Sequence, residues 1–279
     1  MGPAHASCGW TALQDESHPL RHRGCAPFVR AAVRRGQAKG GAWVRLLREG
    51  GWGRGHNAEV TTPRQHLKNA AGFVLVWAVA KLAHRVRFRT AGAVPRRGPV
   101  ILVANHLTMS DPLAVARVTI GHRRFPHFLA MKEVFGWPVV GALARVTGQI
   151  PVARGSAAAA DALDAASERL EQGQLVALYP EGRLTTEPDK MPGPARTGAA
   201  RLALRHPEAP VIPVGTWGPQ QGHRHLWHRH TACLSVGDPV DLSAWAGRTD
   251  DAAAREATDA IMAAIREEIG HARQMWDSR

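Results

Sequence analysis

Three uninterrupted apolar runs constrain this chain more than any other feature. They are Pro99-Val100-Ile101-Leu102-Val103-Ala104, Leu175-Val176-Ala177-Leu178-Tyr179 and Pro210-Val211-Ile212-Pro213-Val214. A strand with one wet face alternates apolar and polar residues. A continuous run instead signals burial on both faces, as in a parallel sheet covered by helices. The segments between the runs have helical character. Ser156 precedes a helix from Ala157 to about Gln172 that Gly173 closes, and Asp250 to about Arg273 carries Ile261, Ile265 and Ile269 at helical spacing. Pro112 to Val118 and Thr197 to Arg205 read as shorter helices, and Glu133 to Val146 as one broken at Trp137-Pro138. Val86 to Arg89, Phe125 to Met131, Gln149 to Val152 and Ala232 to Val236 supply further strands. Strands alternating with helices predict an α/β fold, a mostly parallel central sheet flanked by helices.

The 279 residues suit one good-sized domain, and 44% hydrophobic residues can fill its core. Residues 1–66, rich in Gly, Arg, His and Ala, read as a disordered basic N-terminal extension, and residues 67–279 as the folded domain. Lys and Arg outnumber Asp and Glu by 36 to 23, and residues 1–68 hold eleven of the basic and four of the acidic residues. The balance of +13 points to an anionic partner such as a phospholipid, a nucleic acid or a phosphorylated substrate. The interleaved aromatics of a nucleic-acid platform are missing, so nucleic acid is not expected. Cys8, Cys25 and Cys233 are an odd number without metal-type spacing, which suggests reduced thiols in a cytosolic setting.

No run reaches the roughly 18–20 apolar residues of a membrane span, and no signal-peptide core is read at the N-terminus. Residues 68–84 are expected to form a helix. Its apolar stretch from Ala70 to Ala80 contains Trp77 and is followed by Lys81, His84, Arg85, Arg87 and Arg89. An apolar helix with a tryptophan and a basic end suits the bilayer interface; a buried first helix of the core is the alternative.

In α/β sheets, function gathers where strands end. Asn105-His106 follows the first apolar run, and Asp111 lies five positions after the histidine. At about 100° per residue, positions five apart sit roughly 140° from each other, so one helix face cannot bring them together. A turn can. Ser110-Asp111-Pro112 reads as a helix start, with Asp111 near the N-cap and Pro112 at the first helical position. His106 is thereby placed in a loop, with Asp111 able to swing back, fix its tautomer and raise its basicity. Three other strand ends carry Gly148-Gln149-Ile150-Pro151-Val152-Ala153-Arg154, Tyr179-Pro180-Glu181-Gly182-Arg183 and Val211-Ile212-Pro213-Val214-Gly215. Singly they have plain explanations: a solvated arginine, a turn, a strand tolerant of an edge position. A fifth feature, His223, His225, His228 and His230, is interleaved with Arg224 and Arg229 and contains no carboxylate or cysteine. It reads as a basic or plain solvent loop, and no metal site is expected.

In this order and spacing, the four blocks resemble those of the lysophospholipid and glycerolipid acyltransferases, which include 1-acylglycerol-3-phosphate acyltransferase. The resemblance covers roughly residues 84–220, with the motifs between 99 and 215. It implies transfer of a fatty acyl group from a thioester, acyl-CoA or acyl-ACP as co-substrate and no other cofactor, to the hydroxyl of a lysophospholipid acceptor. The acceptor it most directly implies is 1-acylglycerol 3-phosphate, giving phosphatidic acid. His106 would be the general base, oriented by Asp111. Arg154 would bind phosphate, Glu181 and Gly182 the acceptor, and Asn105, Lys132 and Arg183 are further substrate-binding candidates. The protein would sit on the cytoplasmic face of the cell membrane as a peripheral or monotopic protein, with an anionic membrane surface as partner. One block departs from the family. Where the family usually has Pro-Glu-Gly-Thr-Arg-Ser, this chain has Pro180-Glu181-Gly182-Arg183-Leu184-Thr185. Either Arg183 reaches the same phosphate from one residue earlier, or the acceptor differs: glycerol 3-phosphate, another lysophospholipid or a lipid alcohol. An inactive, basic membrane-binding module is the reading from a different class.

Overall fold

The apolar runs form the middle of a seven-stranded sheet. In the computed structural model, Ala78 and residues 84–91, 94–153, 156–218 and 230–279 are described. The N-terminal extension, nearly all of the expected interfacial helix, Arg154 and residues 223–229 of the histidine-rich run lie outside the described residues. The strands are β1 (His84–Thr90), β2 (Val100–Ala104), β3 (Pro126–Met131), β4 (Ile150–Val152), β5 (Leu175–Leu178), β6 (Val211–Trp217) and β7 (His230–Val236). They lie in the order β1-β7-β6-β2-β5-β3-β4. The five from β6 to β4 run parallel; β7 is antiparallel to β6, and β1 is parallel to β7. The mostly parallel sheet flanked by helices is the one the apolar runs predict.

Every residue of β2 is buried, and its two faces go to different layers. Ile101 and Val103 join a cluster with Val176 and Leu178 of β5. The cluster also takes in Ala162, Ala166 and Leu170 of helix α3 (Ser156–Glu171), Leu202 of α4 (Gly198–Arg205) and Ile261, Ile265 and Ile269 of α5 (Asp251–Asp277). Helix α1 (Asp111–Gly121) packs against β1, β3 and β7. A fifth helix, α2 (Pro138–Val146), follows the short 3-10 turn Lys132–Gly136.

Several boundaries differ from the sequence reading, each for a local reason. His84 opens β1 instead of closing a helix, because it pairs with His230. Strand β6 continues past Val214 to Trp217, because Thr216 and Trp217 pair with Leu234 and Cys233 of an antiparallel neighbour. Pro213 sits in a central strand, not at an edge. Its carbonyl accepts from Gly237 N at 2.9 Å, so its ring nitrogen also faces β7, and the β7 ladder begins only at Val214. Helix α5 starts one residue after Asp250, whose side chain accepts from Ala253 N at 2.9 Å as an N-cap.

The sheet end opposite the candidate chemistry is fastened by Arg124. It is buried, and its guanidinium donates to the carbonyls of Pro95 (3.0 Å), Gly98 (2.8 Å) and Gly173 (3.1 Å), tying together the turns that lead into β2 and β5. Among the described residues no helix is long and apolar enough to cross a membrane. Cys233 is buried in β7, where burial pushes its thiol up, as suits a packing residue.

Candidate active site

Parallel order brings the C-terminal ends of β2, β5, β3 and β4 to one side of the sheet, and His106 lies there, two residues beyond β2. Asn105 explains how the chain leaves the strand. Buried at 1% exposure, it donates from Nδ2 to the Thr216 carbonyl (3.0 Å) and accepts at Oδ1 from Thr216 N (2.7 Å). Its amide thus extends the β2–β6 pairing by one rung made of a side chain. Both ends of that amide are engaged with backbone, which makes Asn105 a holder of the strand end.

Asp111 organises the turn that follows. It is fully buried. Oδ2 accepts from Leu107 N (2.6 Å), Thr108 N (2.8 Å) and His106 Nδ1 (3.2 Å), and Oδ1 accepts from the Thr108 hydroxyl (2.6 Å). This differs by one position from the expected cap: Ser110 is the N-cap and Asp111 the first helical residue. The cause is the direction of the carboxylate, which turns back onto the loop instead of onto the helix's own amides. Charge-assisted bonds to two amides and a hydroxyl hold the loop rigid, and the helix N-terminus favours the negative charge.

The imidazole is held on its other sides too. Its ring stacks on Tyr179 with centroids 4.0 Å apart and 15° between planes, and Tyr179 stacks in turn near Phe128 at 6.0 Å. The Tyr179 hydroxyl is buried without a hydrogen-bond partner among the described residues. Burial, and secondarily the Asp111 charge, push that phenol well above its usual range, so it remains a neutral hydroxyl. The His106 backbone is pinned from the β5 loop: Thr185 N donates to its carbonyl at 2.6 Å, and its own N–H donates to Glu181 Oε1 at 3.4 Å. Glu181, 4% exposed, also accepts from the Thr185 hydroxyl (2.7 Å) and from Gly193 N (3.1 Å). It knits His106, its own loop and the 187–195 segment together. With Nδ1 committed to Asp111, Nε2 has no hydrogen-bond partner among the described residues and is the nitrogen left for chemistry. The arrangement can take a proton at Nε2 and stabilise the resulting imidazolium through Asp111.

Residues 85–217 match the acyltransferase family. That match is to the family's domain and spans just under half of the chain. Within the curated acyltransferases, the chain is 35% identical to a lyso-ornithine lipid O-acyltransferase of Pseudomonas aeruginosa over 149 residues, 52% of this chain and 50% of that protein. It is 30% identical to a 1-acyl-sn-glycerol-3-phosphate acyltransferase of Neisseria gonorrhoeae over 89 residues, 31% of this chain and 32% of that one. The chain thus spans half or less of the length of these curated relatives. The crystal structure of the 1-acyl-sn-glycerophosphate (LPA) acyltransferase PlsC of Thermotoga maritima has the same fold. Its TM-score is 0.53 at 18% identity, covering 82% of this chain and 87% of that one.

The other residues singled out in the sequence fall into three groups. Glu181 adjoins His106, and Gly182 follows it in the same loop. Gly182 has φ +63, a turn conformation that favours glycine, and a Cβ there would sit 3.1 Å from Arg196 Nε and push that side chain aside. Arg183 and Lys132 are exposed. Arg183 approaches Gly193, where a Cβ would meet its guanidinium at 3.8 Å and Glu187 Oε1 at 3.3 Å. Arg154 follows β4 but lies outside the described residues. Tyr179, Thr108 and Thr185 were missed by sequence reasoning. Only Tyr179 had a usable signal, as the sole tyrosine of the chain, placed at a strand end of the candidate site.

Proposed function

We propose that this protein is an acyltransferase that moves a fatty acyl group from a thioester to the free hydroxyl of a lysolipid. The observation that carries the reading is the Asp111–His106 pair at the parallel strand ends, with Nδ1 on the carboxylate at 3.2 Å. As the acceptor oxygen attacks the thioester carbonyl, its proton passes to His106 Nε2. The new C–O bond forms, the C–S bond breaks, and the imidazolium returns the proton to the departing thiolate. Thiolates leave readily, so no enzyme nucleophile is required. The donor is acyl-CoA or acyl-ACP, with no other cofactor and no metal. Arg154 and Lys132 are assigned to the anionic groups of donor or acceptor, with Arg183 as the guanidinium nearest the Glu181 loop. Glu181 and Gly182 shape the acceptor side through that loop, and Asn105 acts by holding His106. The chain works at a membrane surface, as lipid substrates and its +13 charge both favour, with the cytoplasmic face as the expected side.

The acceptor read from the sequence motifs is 1-acylglycerol 3-phosphate. A lyso-ornithine lipid is the second reading, favoured by the 35% identical relative and by Arg183-Leu184 standing where the family usually has Thr-Arg. An ornithine headgroup offers no phosphate to that arginine. The deciding experiment follows thiol release from a long-chain acyl-CoA or acyl-ACP with each dispersed acceptor in turn, wild type beside His106→Ala. Acceptor-dependent release lost in the variant is expected. Release that survives in His106→Ala would remove the base assignment. Salt-sensitive vesicle binding without turnover on any acceptor or donor would leave only the membrane-binding module.

A further inference from the structure

The described residues expose seven large apolar side chains, and six of them, Met109, Met131, Trp137, Val139, Val140 and Val146, come from two segments. Met109 lies in the turn between His106 and Asp111. The others run from the end of β3 through α2. Both segments leave the sheet at its C-terminal strand ends, the end that carries the imidazole.

Helix α2 is built inside out for a protein bathed in water. Its buried residues are the two small ones, Gly141 and Ala144. Val139 is 75% exposed, and Trp137, just before the helix, 49%. The helix cannot roll to hide its valines. A Cβ at position 141 would lie 2.2 Å from the Phe135 carbonyl oxygen, so only the glycine face fits against the preceding turn. Large apolar side chains gathered on one element and held outward this way mark a docking site.

We propose that Trp137 and helix α2, together with Met109, seat on the lipid surface of a bilayer and bring the His106 loop to the headgroup level. This rests on the acyl-transfer reading, in which the acceptor resides in that bilayer. The charge pattern selects a membrane over a second copy of the chain. From residue 131 to residue 153, Lys132 and Arg145 stand against the single acid Glu133, and the whole chain carries +13. Anionic headgroups attract such a surface, whereas a second copy would bring more charge of the same sign. A tryptophan beside aliphatic residues with basic ends is the composition of an interfacial element.

The test uses the full chain carrying Val139→Ser, Val140→Ser and Val146→Ser, floated with vesicles of phosphatidylethanolamine and phosphatidylglycerol. Vesicle affinity is expected to fall at least about tenfold, with the melting transition and the oligomeric state unchanged. In parallel, a fluorophore on Val139→Cys, in a chain with Cys8→Ser and Cys25→Ser, is expected to be quenched by nitroxide-labelled lipid. Unaltered affinity with an unquenched probe overturns the proposal. So does a dimer in the wild type that dissociates in the triple variant, since a second copy then covers the face. Vesicle binding is read without turnover. A chain that binds through α2 but acylates nothing defeats the acyl-transfer reading alone. One that acylates a dispersed acceptor while the triple variant binds vesicles normally defeats the docking surface alone.

Discussion

Replacing Asp111 separates its two jobs, because asparagine and alanine remove different parts of them. The carboxylate accepts from Leu107 N, Thr108 N, the Thr108 hydroxyl and His106 Nδ1, at 2.6, 2.8, 2.6 and 3.2 Å. In Asp111→Asn, the amide oxygen can occupy the Oδ2 position and keep both backbone amides. The NH2 then faces Thr108 Oγ1, which can turn its own proton to Ser110 Oγ, 3.0 Å away. The loop survives, at a cost of about 1–2 kcal/mol for exchanging charged acceptors for a neutral one. What disappears is the negative charge beside the imidazole. An imidazolium formed during transfer is no longer stabilised, and kcat should fall by about 10²–10⁴ with little change in acceptor KM. In Asp111→Ala, two buried amides lose their acceptor, at about 1–3 kcal/mol each, so roughly 2–6 kcal/mol in all. That is a large share of the whole stability of an ordinary domain.

The assay is steady-state thiol release beside urea denaturation for wild type and both variants. The expected pattern is an asparagine enzyme that is folded and nearly inert, and an alanine enzyme that is both inert and strongly destabilised. An asparagine variant with wild-type kcat would refute the reasoning: Asp111 would then be a loop fastener only, and the tautomer of His106 would be set by something else. Equal destabilisation of the two variants would refute the packing half of the argument.

Two further predictions concern opposite ends of the sheet. Tyr179→Phe removes a hydroxyl buried without a partner, so activity should persist and stability rise by up to about 1 kcal/mol. Tyr179→Ala takes away the ring under His106 and should lower kcat by about tenfold or more; a phenylalanine variant as inert as the alanine one, measured by thiol release, would show that the hydroxyl itself takes part. His127 donates from Nδ1 to the Gly148 carbonyl at 2.9 Å, and burial, opposed by that bond and aided by Arg169 and Arg124, lowers its pKa from 6.5 to about 4. The unfolded chain therefore takes up the proton first on acidification: this contribution is complete above pH 6.5 and is lost as pH falls towards about 4, amounting to about 3 kcal/mol. Urea denaturation across that window should show a shallower slope for His127→Gln, and an identical slope would remove the assignment.

The parts of this molecule that were legible in the sequence share one property: they are set by neighbours in the chain. Continuous apolar runs predict strands buried on both faces, and β2, β5 and β6 are buried throughout. The His106–Asp111 pairing was legible because five residues leave no option but a turn. Asn105 and Glu181 were visible as residues of a motif, but not as fasteners, because their partners lie 111 and 75 residues away. Tyr179 was readable as a strand residue and unreadable as a platform, since nothing in a one-dimensional pattern says which ring lies across the gap between β2 and β5. Periodicity likewise places the apolar residues of α2 without saying which way they face; a carbonyl at Phe135, too close to Gly141 for any side chain, decides that. The His106 imidazole is thus anchored from three strand ends at once: its own β2, β6 through Asn105, and β5 through Tyr179, Glu181 and Thr185. Those three strands are adjacent only in the order β6-β2-β5. The geometry of His106 is therefore a consequence of strand order, and a substitution that loosens the β2–β6 clasp at Asn105 is expected to shift the imidazole from a distance.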